Sequence, residues 1–313
     1  KPITLEWSGD TNVTYDGNSH RLTAKVVGAV SGDTFAISYS GANSFVNKGS
    51  YTVAVSSLGN DNYTYEKIYQ QITINPQPVK ITWSGSTSVT YDGNSHTLTA
   101  TVKGADDGKF VDFNYNTSYG NSFIHAGEHT ATVYSLNDSN YTLDGVEGSK
   151  TNTIVIAKKV VNIEWSNETA FTYDGNYHYL SAQVSNKIGS DSVSLTVGYE
   201  KGINTYSQVY DAGTYKAKVT YVNNSNYRLP TSDDLNYSSI SKEMTIAPQK
   251  VKITWPTTTE YTYTGSAITS YKPTVVGYTD NKTVSYALNS ETRVNAGNYT
   301  VEEIKVDSNY TLD

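Results

Sequence analysis

The sequence predicts an all-β chain built from four tandem small sandwiches. Three observations carry that prediction: an internal repeat of long period, period-two alternation inside each repeat, and no 3.6-residue apolar stripe. Tryptophan marks the repeat. Trp7, Trp83, Trp165 and Trp255 are spaced by 76, 82 and 90 residues, and each is followed eight positions later by Tyr15, Tyr91, Tyr173 or Tyr263. Three of those tyrosines open the phrase Tyr-Asp-Gly-Asn, through Asp16-Gly17, Asp92-Gly93 and Asp174-Gly175. A second phrase follows as Asn47-Lys48-Gly49-Ser50-Tyr51, His125-Ala126-Gly127-Glu128-His129, Asp211-Ala212-Gly213-Thr214-Tyr215 and Asn295-Ala296-Gly297-Asn298-Tyr299. Asn62-Tyr63, Asn140-Tyr141, Asn226-Tyr227 and Asn309-Tyr310 close the pattern. A unit of this length can bury its own core, which solenoid units of about 20–45 residues cannot. The boundaries fall at 1–77, 78–159, 160–249 and 250–313, hereafter repeats 1 to 4.

The first element of each repeat is the strand that leads to the tryptophan. Ile3 and Leu5, Val79 and Ile81, Val161 and Ile163, Val251 and Ile253 alternate with polar neighbours, as a half-buried strand requires. Asp-Gly then marks a tight turn, because Gly accepts positive φ and Asp bonds its own backbone. A second alternating run follows at Leu22-Ala24-Val26, Leu98-Ala100-Val102 and Leu180-Ala182-Val184. Later strands begin at Tyr51, Tyr215 and Tyr299, and a last one carries Ile72-Ile74, Ile154-Ile156 or Met244-Ile246. Tyr51, Tyr215 and Tyr299 match the tyrosine corner of immunoglobulin-like sandwiches, in which a hydroxyl bonds back to upstream backbone. His129 in repeat 2 predicts a weaker or differently bonded corner. Connectors of four or five residues, two of them with proline, predict semi-rigid joints and an elongated rod. Repeat 4 stops short of a last aliphatic strand and is expected to lack it, leaving an open sheet edge or exchanging a strand with a neighbouring molecule.

Composition narrows the function. Ser, Thr and Asn supply 104 of 313 residues, so the cores must be modest, and 28 Tyr provide burial area that Ile, Leu, Val and Phe do not. A net charge of −7 without a Lys/Arg cluster argues against nucleic acid, and no apolar run is long enough to span a membrane. Zero Cys removes disulfides and thiolate chemistry. No cofactor is expected. The chain opens on Lys1-Pro2 with no signal peptide and reads as an internal segment, expected to be monomeric.

The sequence disfavours three chemistries. Asp16 with His20, Asp92 with His96 and Asp174 with His178 have the spacing of a catalytic dyad or half a metal site. Repeat 4 replaces both members together, by Thr264 and Ile268, which points to turn support instead. An isopeptide bond needs an inward lysine on the first strand, and the candidates Lys80 and Lys252 alternate outward. Calcium at the joints needs converging carboxylates, where the connectors carry Lys158, Lys159 and Lys250. No nucleophile or carboxylate pair recurs, so no enzyme is expected.

The Ile-x-Trp strand, Tyr-Asp-Gly-Asn, Ala-Gly-x-Tyr and Ser-Asn-Tyr together resemble the YDG/MBG-type immunoglobulin-like repeats of bacterial cell-surface proteins, among them mucus adhesins of lactic acid bacteria and relatives. That resemblance implies an extracellular, wall-anchored array that adheres or projects. Fifteen tyrosines occupy repeated positions (the Tyr15, Tyr39, Tyr51 and Tyr63 classes) and are read as core or corner residues. Others are private to one repeat and densest in repeat 3, where Tyr177, Tyr179, Tyr206, Tyr210 and Tyr221 are the candidate ligand-binding residues. The expected role is multivalent binding of host mucin or cell-surface glycans, with a purely structural stalk as the alternative.

Overall fold

In repeat 2 the alternation of Val79 and Ile81 with Lys80 and Thr82 produces the strand Gln77–Ser84, its aliphatic residues buried and its polar ones exposed. The computed structural model describes residues 1–118, 120–288, 292–301 and 303–312. Gln77–Ser84 pairs antiparallel with Thr99–Gly104 and parallel with Tyr141–Glu147, forming one three-stranded sheet. The facing sheet has the order Ser88–Thr90, Thr151–Ala157, Gly127–Leu136, Phe113–Tyr115. Val79, Ile81, Ala100 and Val102 of the first sheet meet Val133 of the second, with Val111 and Tyr141 completing the cluster. This is an immunoglobulin-like sandwich, and the protein is all-β: the described residues contain no α-helix, only a 3-10 turn at Tyr237–Ile240.

Repeat 1 uses the same two sheets. Pro2–Ser8 lies between Thr23–Val27 and Thr64–Tyr65, and the facing order is Asn12–Thr14, Tyr69–Asn75, Gly49–Ser57, Ser38–Tyr39. Repeat 3 extends the larger sheet to five strands: Ala170–Thr172, Ser241–Ala247, Gly213–Val222, Leu195–Lys201 and, on the edge, Asn204–Tyr206. In all three repeats the Ile-x-Ile or Met-x-Ile strand runs between two neighbours, with Ile72, Ile74, Ile154, Ile156, Met244 and Ile246 fully buried.

Repeat 4 departs from this plan. Gln249–Thr254 pairs with Thr274–Gly277 and Tyr310–Thr311, and Tyr286–Leu288 pairs with Ile304–Val306. Among the described residues no strand occupies the positions that match Asn12–Thr14, and of those that match Gly49–Ser57 only the far end, in Ile304–Val306, is a strand. Its buried cluster shrinks to Val251, Val275 and Val284.

Two signatures recur as local hydrogen-bonded devices. Asp16 accepts the backbone N–H of Asn18 at 2.8 Å and its side-chain amide at 3.0 Å, and Asp92 and Asp174 treat Asn94 and Asn176 alike. Gly17, Gly93 and Gly175 take φ near +78°, the left-handed region that a Cβ would strain. The tyrosine corner also forms: Tyr51 Oη donates to Asn47 O at 2.9 Å, Tyr215 to Asp211 O at 2.9 Å, and Tyr299 to Asn295 O at 2.8 Å. In repeat 2 His129 Nε2 reaches the matching carbonyl, His125 O, at 2.7 Å. The imidazole therefore replaces the phenol at the same acceptor, and of the two expected outcomes the corner is the differently bonded one.

The connectors are shorter than the sequence suggested. Only Pro76 separates Tyr69–Asn75 from Gln77–Ser84, and only Pro248 separates Ser241–Ala247 from Gln249–Thr254. The backbone N–H groups of Gln77 and Gln249 bond to Asn140 O and Asn309 O, which extends each strand back to the proline. The chain divides into two compact units, Lys1–Ala157 and Lys158–Asp313, each holding two repeats.

Candidate functional site: an aromatic edge and two repeat joints

Three of the five candidate tyrosines of repeat 3 come together. His178 N donates to Val209 O, and this bridge places the next-door residues Tyr177 and Tyr210 edge to face, with ring centroids 5.5 Å apart at 88°. Tyr206 ends the edge strand Asn204–Tyr206, and its ring meets Tyr215 at 6.1 Å and 89°. Tyr215 is the buried corner residue between these pairs. Burial pushes its hydroxyl pKa upward, and Asp211, Tyr206 and Tyr210 add to the effect. Lys201 Nζ lies 5.0 Å from the Tyr215 ring and donates to Ala212 O at 3.1 Å, so a cation borders the aromatic patch. Tyr177, Tyr206 and Tyr210 remain 58%, 38% and 43% exposed. Stacking surface, hydroxyls and one ammonium are what planar or sugar-like ligands use.

Tyr179 and Tyr221 stay outside this patch. Tyr221 is six residues beyond Tyr215 on the strand Gly213–Val222, roughly 20 Å away at the usual rise. Tyr179 is exposed beside the buried Tyr199 and makes no ring contact among the described residues. The Asp–His pairs lie at 3.1, 3.0 and 3.1 Å in repeats 1 to 3 and belong to the turns already described. Hydrogen bonds from the Asn94 backbone and side chain hold the Asp92 carboxyl at about 2. Among the described residues no cluster of three His, Asp or Glu has the arrangement to hold a metal ion. Lys80 faces water and pairs with Glu147 at 3.5 Å.

A second set of contacts was missed by the reading of repeated tyrosines as core residues. Inside the first unit, Tyr15 of repeat 1 meets Tyr141 of repeat 2 edge-on at 5.4 Å and 78°. Asn140 donates to Asn47 Oδ1 at 3.2 Å and accepts from Lys48 N at 2.8 Å. Gln77, fully buried, donates its side-chain amide to Tyr15 O at 2.9 Å. The second unit repeats every one of these contacts between repeats 3 and 4. Tyr173 and Tyr310 lie 5.3 Å apart at 77°. Asn309 donates to Asp211 Oδ1 at 2.9 Å and accepts from Ala212 N at 2.6 Å, and Gln249 donates to Tyr173 O at 2.9 Å. Lys109 and Lys282 of the incoming repeats pass over Gly17 and Gly175, where a Cβ would collide with them. The sequence did carry a signal for these joints: Gln stands two residues before Val79 and before Val251.

The MBG domain family matches residues 3–67 and 80–160, which are the bodies of repeats 1 and 2. The first two repeats are MBG domains. Repeat 3 carries the same phrases, turn and corner as these MBG repeats. Internalin I of Listeria monocytogenes serovar 1/2a is 29% identical to the chain over 182 residues, and Internalin I of serotype 4b is 27% identical over the same length. In each case the match covers 56% of this chain and a tenth of the relative's own length. Among solved structures, domains 4–9 of the surface layer protein SbsC align over 92% of this chain and 57% of their own, at 12% identity and a TM-score of 0.28. The Escherichia coli adhesin FdeC aligns over 78% of this chain and 96% of its own, at 12% identity and a TM-score of 0.25.

Proposed function

We propose that the chain is the repeat region of a bacterial cell-surface adhesin, extracellular and wall-anchored, without enzymatic activity. In this reading the Tyr177–Tyr206–Tyr210 edge of repeat 3 contacts host mucin or cell-surface glycans. The MBG match of repeats 1 and 2 and the likeness to Internalin I support a surface-protein repeat region. The observation that carries the binding role is the aromatic patch itself: three exposed phenol rings gathered around one corner, with Lys201 at its border. No other repeat places tyrosines at those positions, so each chain offers one such patch. Multivalency then comes from many chains on one surface, each contact individually weak.

Binding of the chain to immobilised mucin and to a glycan array tests this. The Tyr177→Ala/Tyr210→Ala double variant is expected to lose at least about tenfold in affinity with an unchanged far-ultraviolet spectrum, since both side chains are exposed. A chain that shows no binding to either surface at millimolar site concentration would leave the stalk as the better reading. The repeat joints favour that second reading. A fully buried glutamine, a ring pair and a two-way asparagine clamp restrain neighbouring repeats, which suits a spacer.

A further inference from the structure

We propose that the aromatic edge of repeat 3 selects saccharides that carry an anionic group, a carboxylate or a sulfate, and that Lys201 receives the charge. This rests on the reading of that edge as a glycan site and names which glycans it takes. The reasoning begins with a difference between the repeats. In repeats 1 and 2 a phenylalanine six residues earlier covers the corner ring: Phe45 stacks on Tyr51 at 4.1 Å and 9°, and Phe123 on His129 at 4.9 Å and 13°. Repeat 3 has Val209 at that position, which offers no ring face. Its segment 199–209 is also longer than the counterparts 39–45 and 115–123. The extra length folds into a hairpin that pairs Tyr199 with Tyr206 and Lys201 with Asn204. The corner ring of Tyr215 therefore meets Tyr206 and Lys201 in place of a phenylalanine. One element private to repeat 3 supplies both a ring and a cation.

Lys201 occupies a register that strands normally give to core residues. Tyr199, two positions earlier on the same strand, is 3% exposed, so alternation turns Lys201 to the core face, and Tyr206 shares that face across the hairpin. At the end of the sheet this face opens to solvent. Lys201 is exposed there, with its ammonium against the bare backbone of Gly213, where a Cβ would collide with it. It donates to Ala212 O at 3.1 Å, and an ammonium has two further hydrogens to give. The nearby carboxylates are committed elsewhere. Glu200 pairs with Lys218 at 3.5 Å, Asp211 accepts from Asn309, and Asp174 accepts from Asn176 and lies 3.1 Å from His178. Among the described residues no carboxylate forms an ion pair with Lys201.

This arrangement discriminates between sugars. The Lys201 ammonium and the Tyr206 ring both lie within 6.1 Å of the Tyr215 ring centre, close enough for one sugar residue and its substituent. A neutral sugar stacked on Tyr206 and Tyr210 strips water from the ammonium and returns only hydroxyls. A carboxylate or sulfate returns a charge-assisted hydrogen bond, roughly twice as strong as a neutral one. Rings alone would take any sugar and a cation alone any anion. Their adjacency selects the ligand that has both.

The test is surface plasmon resonance of the intact chain over lactose, sialyllactose and sulfated lactose presented at equal density. At least one of the two acidic sugars is expected to bind at least about tenfold tighter than lactose, and the tighter one identifies carboxylate or sulfate as the source. The advantage should shrink as salt rises, because the ion pair is exposed. Lys201→Met is expected to abolish the preference and Lys201→Arg to keep it, both with an unchanged far-ultraviolet spectrum. Equal binding of all three sugars overturns the inference and leaves the edge as a glycan site, whereas no binding of any sugar overturns both. A preference that survives in Lys201→Met also overturns it. So does equal competition by an oligoglutamate peptide, which would assign the site to any anion.

Discussion

Repeats 3 and 4 share one compact unit and most of one sequence pattern, yet they are held together differently. Repeat 3 closes its larger sheet around Met244 and Ile246, which bury Tyr215, Ala217 and Leu180. Repeat 4 keeps the first strand, the tyrosine corner at Asn295 and the joint residues Asn309 and Tyr310, but leaves Tyr263, Tyr299 and Trp255 open. Corner and turn phrases therefore do not by themselves produce a closed sandwich. The strand that fills the slot between them does so, because it alone satisfies both flanking backbones and covers the ring faces.

The largest expected effect tests this directly. Ile246→Ala removes a fully buried side chain from repeat 3 and should cost about 2–5 kcal/mol in urea unfolding of that repeat. Tyr299→Ala in repeat 4, half exposed and covered by no strand, should cost less than about 1 kcal/mol by the same measurement. Equal costs would mean that repeat 4 has a core the comparison denies it.

The joint gives the next effect. Gln249→Ala should cost about 1–3 kcal/mol, because Tyr173 O loses its donor in a buried place. A double-mutant cycle between Tyr173→Ala and Tyr310→Ala should give a coupling of about 0.5–1.5 kcal/mol. Zero coupling would show that the two repeats merely touch. A smaller loss, about 0.5–1.5 kcal/mol, is expected for Tyr215→Phe, which deletes only the corner hydrogen bond to Asp211 O.

The smallest effect is acid sensitivity. Asp92 is held at about 2 against a reference of 3.8, and Asp16 and Asp174 are lowered too, in each case mainly by the following asparagine. A lowered folded-state value stabilises above the unfolded value, and the contribution is lost as pH falls from about 4 through about 2. Repeats 1 to 3 should therefore loosen at their Asp-Gly turns across that window. Repeat 4 should show no matching step, since Thr264 Oγ1 stands in at 3.4 Å from Ser266 N. Carboxyl resonances of the three aspartates and backbone amide resonances of all four turns, followed by NMR, would read both. A step at Thr264, or none at Asp92, would break the contrast.

Much of this was legible before the fold was known. Alternation around Val79 and Ile81 specified a strand because a two-residue period is written in consecutive side chains. Asp16-Gly17 specified a turn because both its φ and its hydrogen bonds lie within three residues. The corner was legible for Tyr51, Tyr215 and Tyr299, and His129 marked one bonded differently, though only the tertiary structure shows that its Nε2 reaches His125 O. Among the repeat 3 tyrosines the sequence could nominate five and could not sort them. Tyr177 and Tyr210 meet because a bridge from His178 to Val209 folds distant loops together, whereas Tyr221 lies on the same strand as Tyr215 and is carried out of reach.

The sequence by itself determined the all-β class, the four repeats, the turns and the inward face of each strand, because all of these follow from neighbours a few residues apart. Tertiary structure alone decided that Asn140 clamps Asn47 across 93 residues, that Asn309 clamps Asp211 across 98, and that Tyr15 and Tyr173 serve joints as well as cores. Those outcomes depend on which surfaces meet after the chain has turned many times, and no local period records that.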